Sequence, residues 1–244
     1  MAADGAIVVG VGAEEGLGAA LCRRFARGGL HVIVGGRTQV RLDAVVATIR
    51  AAGGVATAAP SDTTREEDVK GLFDLAERLT GRVPAVVAYN AGNNAFVDFR
   101  ETTAAFFEDM WRVGCFGGFL VGREAARRMV PVGKGSVFFT GASGSMRGRP
   151  GFVHFAAAKA GLRMIAQAMA REFGPQGIHV AHVIIDGGIN GERLKTYIPQ
   201  FVAAKGEDGL LDIDAIAETY WHIHTQHPTA WTHEVDLRPA KEQF

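Results

Sequence analysis

Six short apolar runs recur along the chain, "AIVVGV", "HVIVGG", "GVATAA", "VPAVVAYN", "GSVFFTG" and "HVAHVIID", each β-rich and bounded by glycine or polar residues. Unbroken apolar character over so few residues suits strands buried on both faces, as in a parallel sheet. Between the runs the spacing becomes helical, in "GLGAALCRRFARG", "QVRLDAVVATIRAAGG", "REEDVKGLFDLAERLTG", a long stretch from Thr102 to Met129, and another from about Phe152 to Phe173. Strands alternating with helices predict βαβ units with right-handed crossovers. The expected fold is α/β, a doubly wound parallel sheet with helices on both faces.

Punctuation agrees. Pro131 and Gly174-Pro175 stop the two long helices. After Asp186 the alternation breaks down through residues 187–211, ahead of a last helical pattern in "DIDAIAETYWHIHTQ". An excursion at the carboxyl edge of such a sheet is where a substrate lid is expected. The Thr102–Met129 stretch carries Gly114, Gly117 and Gly118, each costing ~0.5–1 kcal/mol relative to alanine inside a helix. Either another helix approaches closely there, within the fold or across a subunit contact, or the helix is kinked.

The 244 residues, 48% apolar and 21% charged, are read as one domain over 1–244. Lys plus Arg and Asp plus Glu both number 26, so no basic excess points to nucleic acid or an anionic membrane. Cys22 and Cys115 are too few for a disulfide framework and read as small buried hydrophobes. The start "MAADG" has no basic leader, and no apolar run reaches membrane-spanning length. A soluble cytoplasmic protein is expected.

The segment "VVGVGAEEGLG" follows a strand and opens a helix. It places Gly12, Gly16, Leu17 and Gly18 where backbone N–H groups and a helix dipole favour an anionic pyrophosphate. Twenty residues after Gly16 comes "GGRT". An acid at that strand end would accept from both ribose hydroxyls; here Gly36 leaves room and Arg37 offers charge to a 2′-phosphate, which tilts the expectation to NADP over NAD. Glu14 and Glu15 count against any phosphate unless they point into solvent.

These features together resemble the short-chain dehydrogenase/reductase family over nearly the whole chain. The family's acidic residue near the adenine matches Asp62 in "PSDTT", and its Asn-Ala-Gly turn matches Asn90, Ala91 and Gly92. Its Pro-Gly strand end falls on Asp186-Gly187. The resemblance implies a Rossmann-type sheet of about seven strands, an NAD(P) cofactor and a small-molecule substrate. It also implies a homodimer or homotetramer packed through the two long helices, where Ala156 to Ala158 permit close contact. Counting places the family's Asn-Ser-Tyr-Lys set on Gly114, Ala142, Phe155 and Lys159, with Ser143 next to Ala142. Only the lysine matches.

In the family that lysine holds the nicotinamide ribose and lowers the phenol pKa; Phe155 has no proton to trade. Loss of the acid and of the serine donor removes effects of about 10²–10⁴ and 10²–10³. Ser143 and Ser145 are substitutes for the hydrogen bonds, and His154, or Lys159 through a water, for the acid. Adjacent helical residues diverge by about 100°, which disfavours His154. The "WHIHTQH" segment with Glu218 falls short of a closed zinc site, so no metal is expected. Three readings follow: an oxidoreductase with an altered proton route, acting on a substrate such as an activated alkene; a catalytically silent dinucleotide-binding sensor or partner subunit; and a fold kept for interaction alone.

Overall fold

The computed structural model describes residues 3–242. The six apolar runs form β1 (Gly5–Val9), β2 (His31–Gly36), β3 (Val55–Pro60), β4 (Val86–Tyr89), β5 (Gly135–Thr140) and β6 (Ile178–Ile185). The helices are α1 (Leu17–Arg27), α2 (Gln39–Ala51), α3 (Glu66–Thr80), α4 (Ala104–Trp111), α5 (Gly117–Met129), α6 (Val153–Phe173), α7 (Glu192–Tyr197), α8 (Pro199–Lys205) and α9 (Ile213–His224). A seventh strand, β7 (Glu234–Leu237), completes one parallel sheet of order β3-β2-β1-β4-β5-β6-β7. Its residues are part-exposed and alternate in polarity, so no apolar run marks it.

Burial on both faces explains why the strands read as continuous apolar runs. Side chains of α1, α2 and α9, among them Leu21, Phe25, Leu42, Ile49 and Ile216, pack on one face. Those of α3, α5 and α6, including Phe73, Val121, Leu162 and Ala166, pack on the other. Strand order reverses between β1 and β4, which opens a crevice at the carboxyl ends of the strands.

The Thr102–Met129 stretch is not one regular helix. A π-helical turn over Arg112–Phe116 joins α4 to α5. Both explanations of its glycines hold, and the close approach is within the chain. A Cβ on Gly114 would lie 2.7 Å from that of Ala158 on α6, and one on Gly118 would lie 2.3 Å from Leu162 Cδ1. Ala158 is thereby committed to the chain's own fold. Residues 187–211 hold the two short helices α7 and α8.

Ala158 has no rotamer with which to yield, so Gly114→Ala should cost about 1–3 kcal/mol from overpacking despite the better helix propensity. Gly71 on α3 has open space around it, and Gly71→Ala should stabilise by about 0.5–1 kcal/mol. Urea midpoints of the two variants should move in opposite directions; equal shifts would contradict the packing.

Burial also depresses the imidazole pKa of His154, His179, His182 and His224, that of His182 to about 4. Above about pH 6.5 these groups are neutral in both states; below it the unfolded chain takes up protons that the folded chain refuses. Stability should therefore fall as the pH drops from about 6.5 towards 4, with His182 alone contributing about 3 kcal/mol of loss. Unfolding midpoints that stay constant or rise over that window would refute it.

Candidate active site

The loop from Gly10 to Gly16 carries the chain from β1 into α1. No side chain caps α1 at Gly16, so the N–H groups of its first turn stay available to an anion. A Cβ on Gly18 would lie 3.0 Å from Gly10 O and Val11 Cα; glycine there lets α1 close on the strand end, with Leu17 buried beside it. The space over Gly12 is open, with only Arg41 Nη1 near, at 4.0 Å from a Cβ built there. Glu14 accepts from the Thr48 hydroxyl, and Glu15 Oε2 accepts from Lys195 Nζ at 3.2 Å. Both carboxylates are thus engaged by neighbouring side chains. An open cradle of backbone donors, with its carboxylates engaged elsewhere, fits a pyrophosphate.

At the end of β2, a Cβ on Gly36 would lie 2.3 Å from Val11 O, so the two strand ends meet only because Gly36 has none. Arg37 follows, exposed. Arg41, on the first turn of α2, has its Nη1 near Gly12; the motif does not name it. Asp62 accepts from Thr64 N at 2.9 Å and from Thr64 Oγ1 at 2.8 Å. Burial pushes its carboxyl pKa up, but the Thr64 bonds and the charges of Arg37 and Arg65 outweigh that and hold it below the ordinary value.

After β4, Asn90 N–H donates to Val9 O at 3.0 Å and its side-chain amide donates to Gly10 O at 3.3 Å. The Asn-Ala-Gly turn is thereby tied to the phosphate loop. Ala91 is buried, and a Cβ on Gly92 would lie 3.2 Å from Lys159 Nζ. Lys159, on the second turn of α6, is buried and donates to Thr140 O at 2.7 Å. Burial lowers its pKa to about 8, opposed by the Cys115 thiol.

Phe155 lies one turn earlier on α6, part-exposed. A Cβ on Gly144 would stand 2.9 Å from Phe155 Cδ1, so the ring lies against the turn Ser143–Ser145 that follows β5. Ser143 opens that turn, part-exposed, while Ser145 is buried. Gly187 follows β6, next to Pro239.

No other phenol takes the missing place. Tyr89 is buried and donates to Val113 O, and Tyr220 is buried and bonded to Thr140 Oγ1 at 2.7 Å. Tyr197, on α7, is 76% exposed. His154 does not turn into the pocket mouth: it is buried, with its ring edge-on to Phe106 at 4.9 Å. The "WHIHTQH" side chains serve local structure. His224 bonds Ser136 Oγ at 2.9 Å, His227 caps the turn at Thr229, His222 is exposed, and Glu218 pairs with Arg24.

α7 lies across the cleft. Its Glu192 N–H donates to Glu15 O at 2.9 Å, and Arg193 reaches Asn93 Oδ1 at 3.2 Å and Asn94 O at 2.9 Å. It therefore bridges the phosphate loop and the continuation of the Asn90 turn. Sequence reading named Ser145 as a substitute donor but missed the chain that it forms behind the Ser143–Ser145 turn with buried His182 and part-exposed Glu234.

The short chain dehydrogenase family model matches residues 6–197. A short-chain dehydrogenase/reductase of Armillaria gallica is 32% identical over 180 residues, 72% of this chain and 69% of that one. The crystal structure of a short-chain dehydrogenase from Rhodopseudomonas palustris is 36% identical, with a TM-score of 0.81 over 97% of this chain and 98% of that one. A metagenomic short-chain oxidoreductase in complex with NADP shares the fold at 22% identity, with a TM-score of 0.81 over 98% of both chains. With the glycine loop, the Asn90 turn and Lys159 in place on a seven-stranded parallel sheet, the chain belongs to the short-chain dehydrogenase family.

Proposed function

We propose that the chain is an NADP-preferring oxidoreductase that works without a phenol at position 155. The observation that carries this reading is Lys159. A buried ammonium is costly, yet this one is held by Thr140 O beside Gly92, at the carboxyl edge of the sheet. An ammonium offers three donors, and its one hydrogen bond among the described residues uses one of them. The other two fit the hydroxyls of a nicotinamide ribose.

A nicotinamide coenzyme, when bound, supplies or accepts hydride. Gly12, Gly16, Leu17 and Gly18 would hold its pyrophosphate, and Asp62 its adenine end. Asn90, Ala91, Gly92 and Gly187 would flank the nicotinamide half. Arg37 and Arg41 would meet a 2′-phosphate; NAD, which lacks that group, is the second candidate. Ser143 offers the substrate a hydrogen bond, and Phe155 walls the pocket. Exposed Phe96 packs edge-on against Phe152 at 5.8 Å, and Phe99 and Met146 are exposed in the same two loops. That lining favours an apolar conjugated substrate such as an enone or quinone, in which hydride goes to carbon and protonation is less demanding.

Self-association through α5 and α6 has a surface to use. A cavity of about 420 Å³ between them is lined by Phe119, Ile165, Met169 and Phe173. Two buried free cysteines fit a reducing, cytoplasmic setting, and among the described residues no helix is long and apolar enough to cross a membrane.

One observation favours the silent dinucleotide-binding reading: Ala158 fills the space where an asparagine at position 114 would project. Under that reading NADPH binds and no substrate is turned over. The test is NADPH oxidation by the purified protein against enones, quinones and ketones. Substrate-dependent loss of NADPH absorbance is expected, and none with any class would defeat the oxidoreductase reading.

Arg37→Ala removes a charge-assisted contact worth about 1.5–3 kcal/mol. Calorimetry should show NADPH affinity falling about ten- to a hundredfold, with NADH affinity unchanged; equal effects on both would place Arg37 outside the site. Phe155→Tyr restores a phenol one turn from Lys159 and should raise ketone reduction at least about tenfold. An unchanged rate would mean that position 155 does not face the substrate.

A further inference from the structure

The phosphate loop is poor in positive charge. From Gly10 to Cys22 the chain carries no cation and no hydroxyl, but two carboxylates, those of Glu14 and Glu15. A pyrophosphate bridge is a dianion, and backbone dipoles offset it only in part. The remaining charge has to come from another element, and α7 is in contact with the loop. Its Glu192 N–H donates to Glu15 O at 2.9 Å, and a Cβ on Gly191 would lie 2.8 Å from that same oxygen, so the helix can start there only from a glycine. The two cations of α7 then leave in different directions, since residues two apart on a helix diverge by about 200°. Lys195 turns to the loop and meets Glu15 Oε2 at 3.2 Å. Arg193 crosses the cleft instead, with Nη1 3.2 Å from Asn93 Oδ1 and Nη2 2.9 Å from Asn94 O.

The partners of these cations differ in charge. Lys195 is offset by Glu15, as Arg147 is by Asp186 at the end of β6. Arg193 meets neutral oxygens alone, and among the described residues no carboxylate pairs with it. A guanidinium has five N–H groups, of which these contacts use two. The side chain is exposed, so the other three are open to an anion. Its planar fork matches phosphate oxygens, and the two asparagine residues order it before any anion arrives, which lowers the entropy cost of binding.

We propose that Arg193 holds the coenzyme pyrophosphate from the lid side, supplying the charge that the phosphate loop lacks and fastening α7 over the bound coenzyme. The proposal rests on the coenzyme site of the proposed function and not on turnover, so it applies to an enzyme and to a silent binding protein alike. NAD and NADP share the pyrophosphate. Arg193 therefore adds affinity for both, whereas Arg37 and Arg41 meet a group that only NADP carries. A residue that fastens a lid acts chiefly on release, so its loss speeds dissociation more than it slows association.

Calorimetry and stopped-flow fluorescence at one fixed ionic strength test it. Arg193→Met should weaken NADPH and NADH by about tenfold or more each, mostly through faster dissociation, and Arg193→Lys, which keeps the charge, should recover part of the loss. Two fragments separate a phosphate contact from a disturbed lid. ADP-ribose, which carries the pyrophosphate, should weaken as the coenzymes do, while adenosine 2′-phosphate, which lacks it, should stay within about twofold. Equal losses for both fragments would mean that the variant only loosens α7, and would overturn the proposal. So would a loss confined to NADPH, or unchanged affinity for both coenzymes, including a case in which the KM of an anionic substrate rises. Wild-type protein that binds neither coenzyme defeats the coenzyme site itself, and the assignment of Arg193 with it; wild type and Arg193→Met that bind equally well defeat the assignment alone.

Discussion

A single buried ammonium organises the site. Lys159 leaves water at a cost that only fixed dipoles and a later ligand can offset, and the chain supplies one such dipole in the Thr140 carbonyl at the end of β5. That bond ties α6 to the sheet, sets Phe155 one turn away against the Ser143–Ser145 turn, and brings the ammonium to Gly92. The rest of the cleft is arranged around this point: the phosphate loop is joined to the Asn90 turn through Gly10, and α7 spans both.

Most of the fold was legible because a parallel sheet covered on both faces writes itself as apolar runs, and six of seven strands do so. β7 escaped because it lies at the sheet edge with Glu234 and Asp236 among its four residues. The π turn at Arg112–Phe116 escaped for a different reason: one inserted residue hardly disturbs an apolar stripe, so periodicity reads through it. The glycines did mark the place, since each cost in helix propensity is recovered by contact with α6 or β4.

The site divides in the same way. Residues that act through local spacing, such as Gly12, Gly16 and Gly18, or Phe155 four before Lys159, could be placed by counting. Ser145 was named as a donor, but its link to His182 and Glu234 could not be read, because 37 and 52 positions separate the partners and only the pairing of β5 with β6 and of β6 with β7 brings them together. The clash feared between Glu14, Glu15 and a phosphate was a side-chain question that sequence could pose but not answer; Thr48 and Lys195 answer it.

Under the proposed function Lys159 is where coenzyme and protein meet, so its truncation is the most direct measurement. Titration calorimetry of NADPH into wild-type protein and Lys159→Met, with both folds verified by their unfolding midpoints, reads the contact itself. The account predicts saturable binding to the wild type and an affinity lower by about tenfold or more in the variant. Equal affinity in both, or no binding to either, would contradict it.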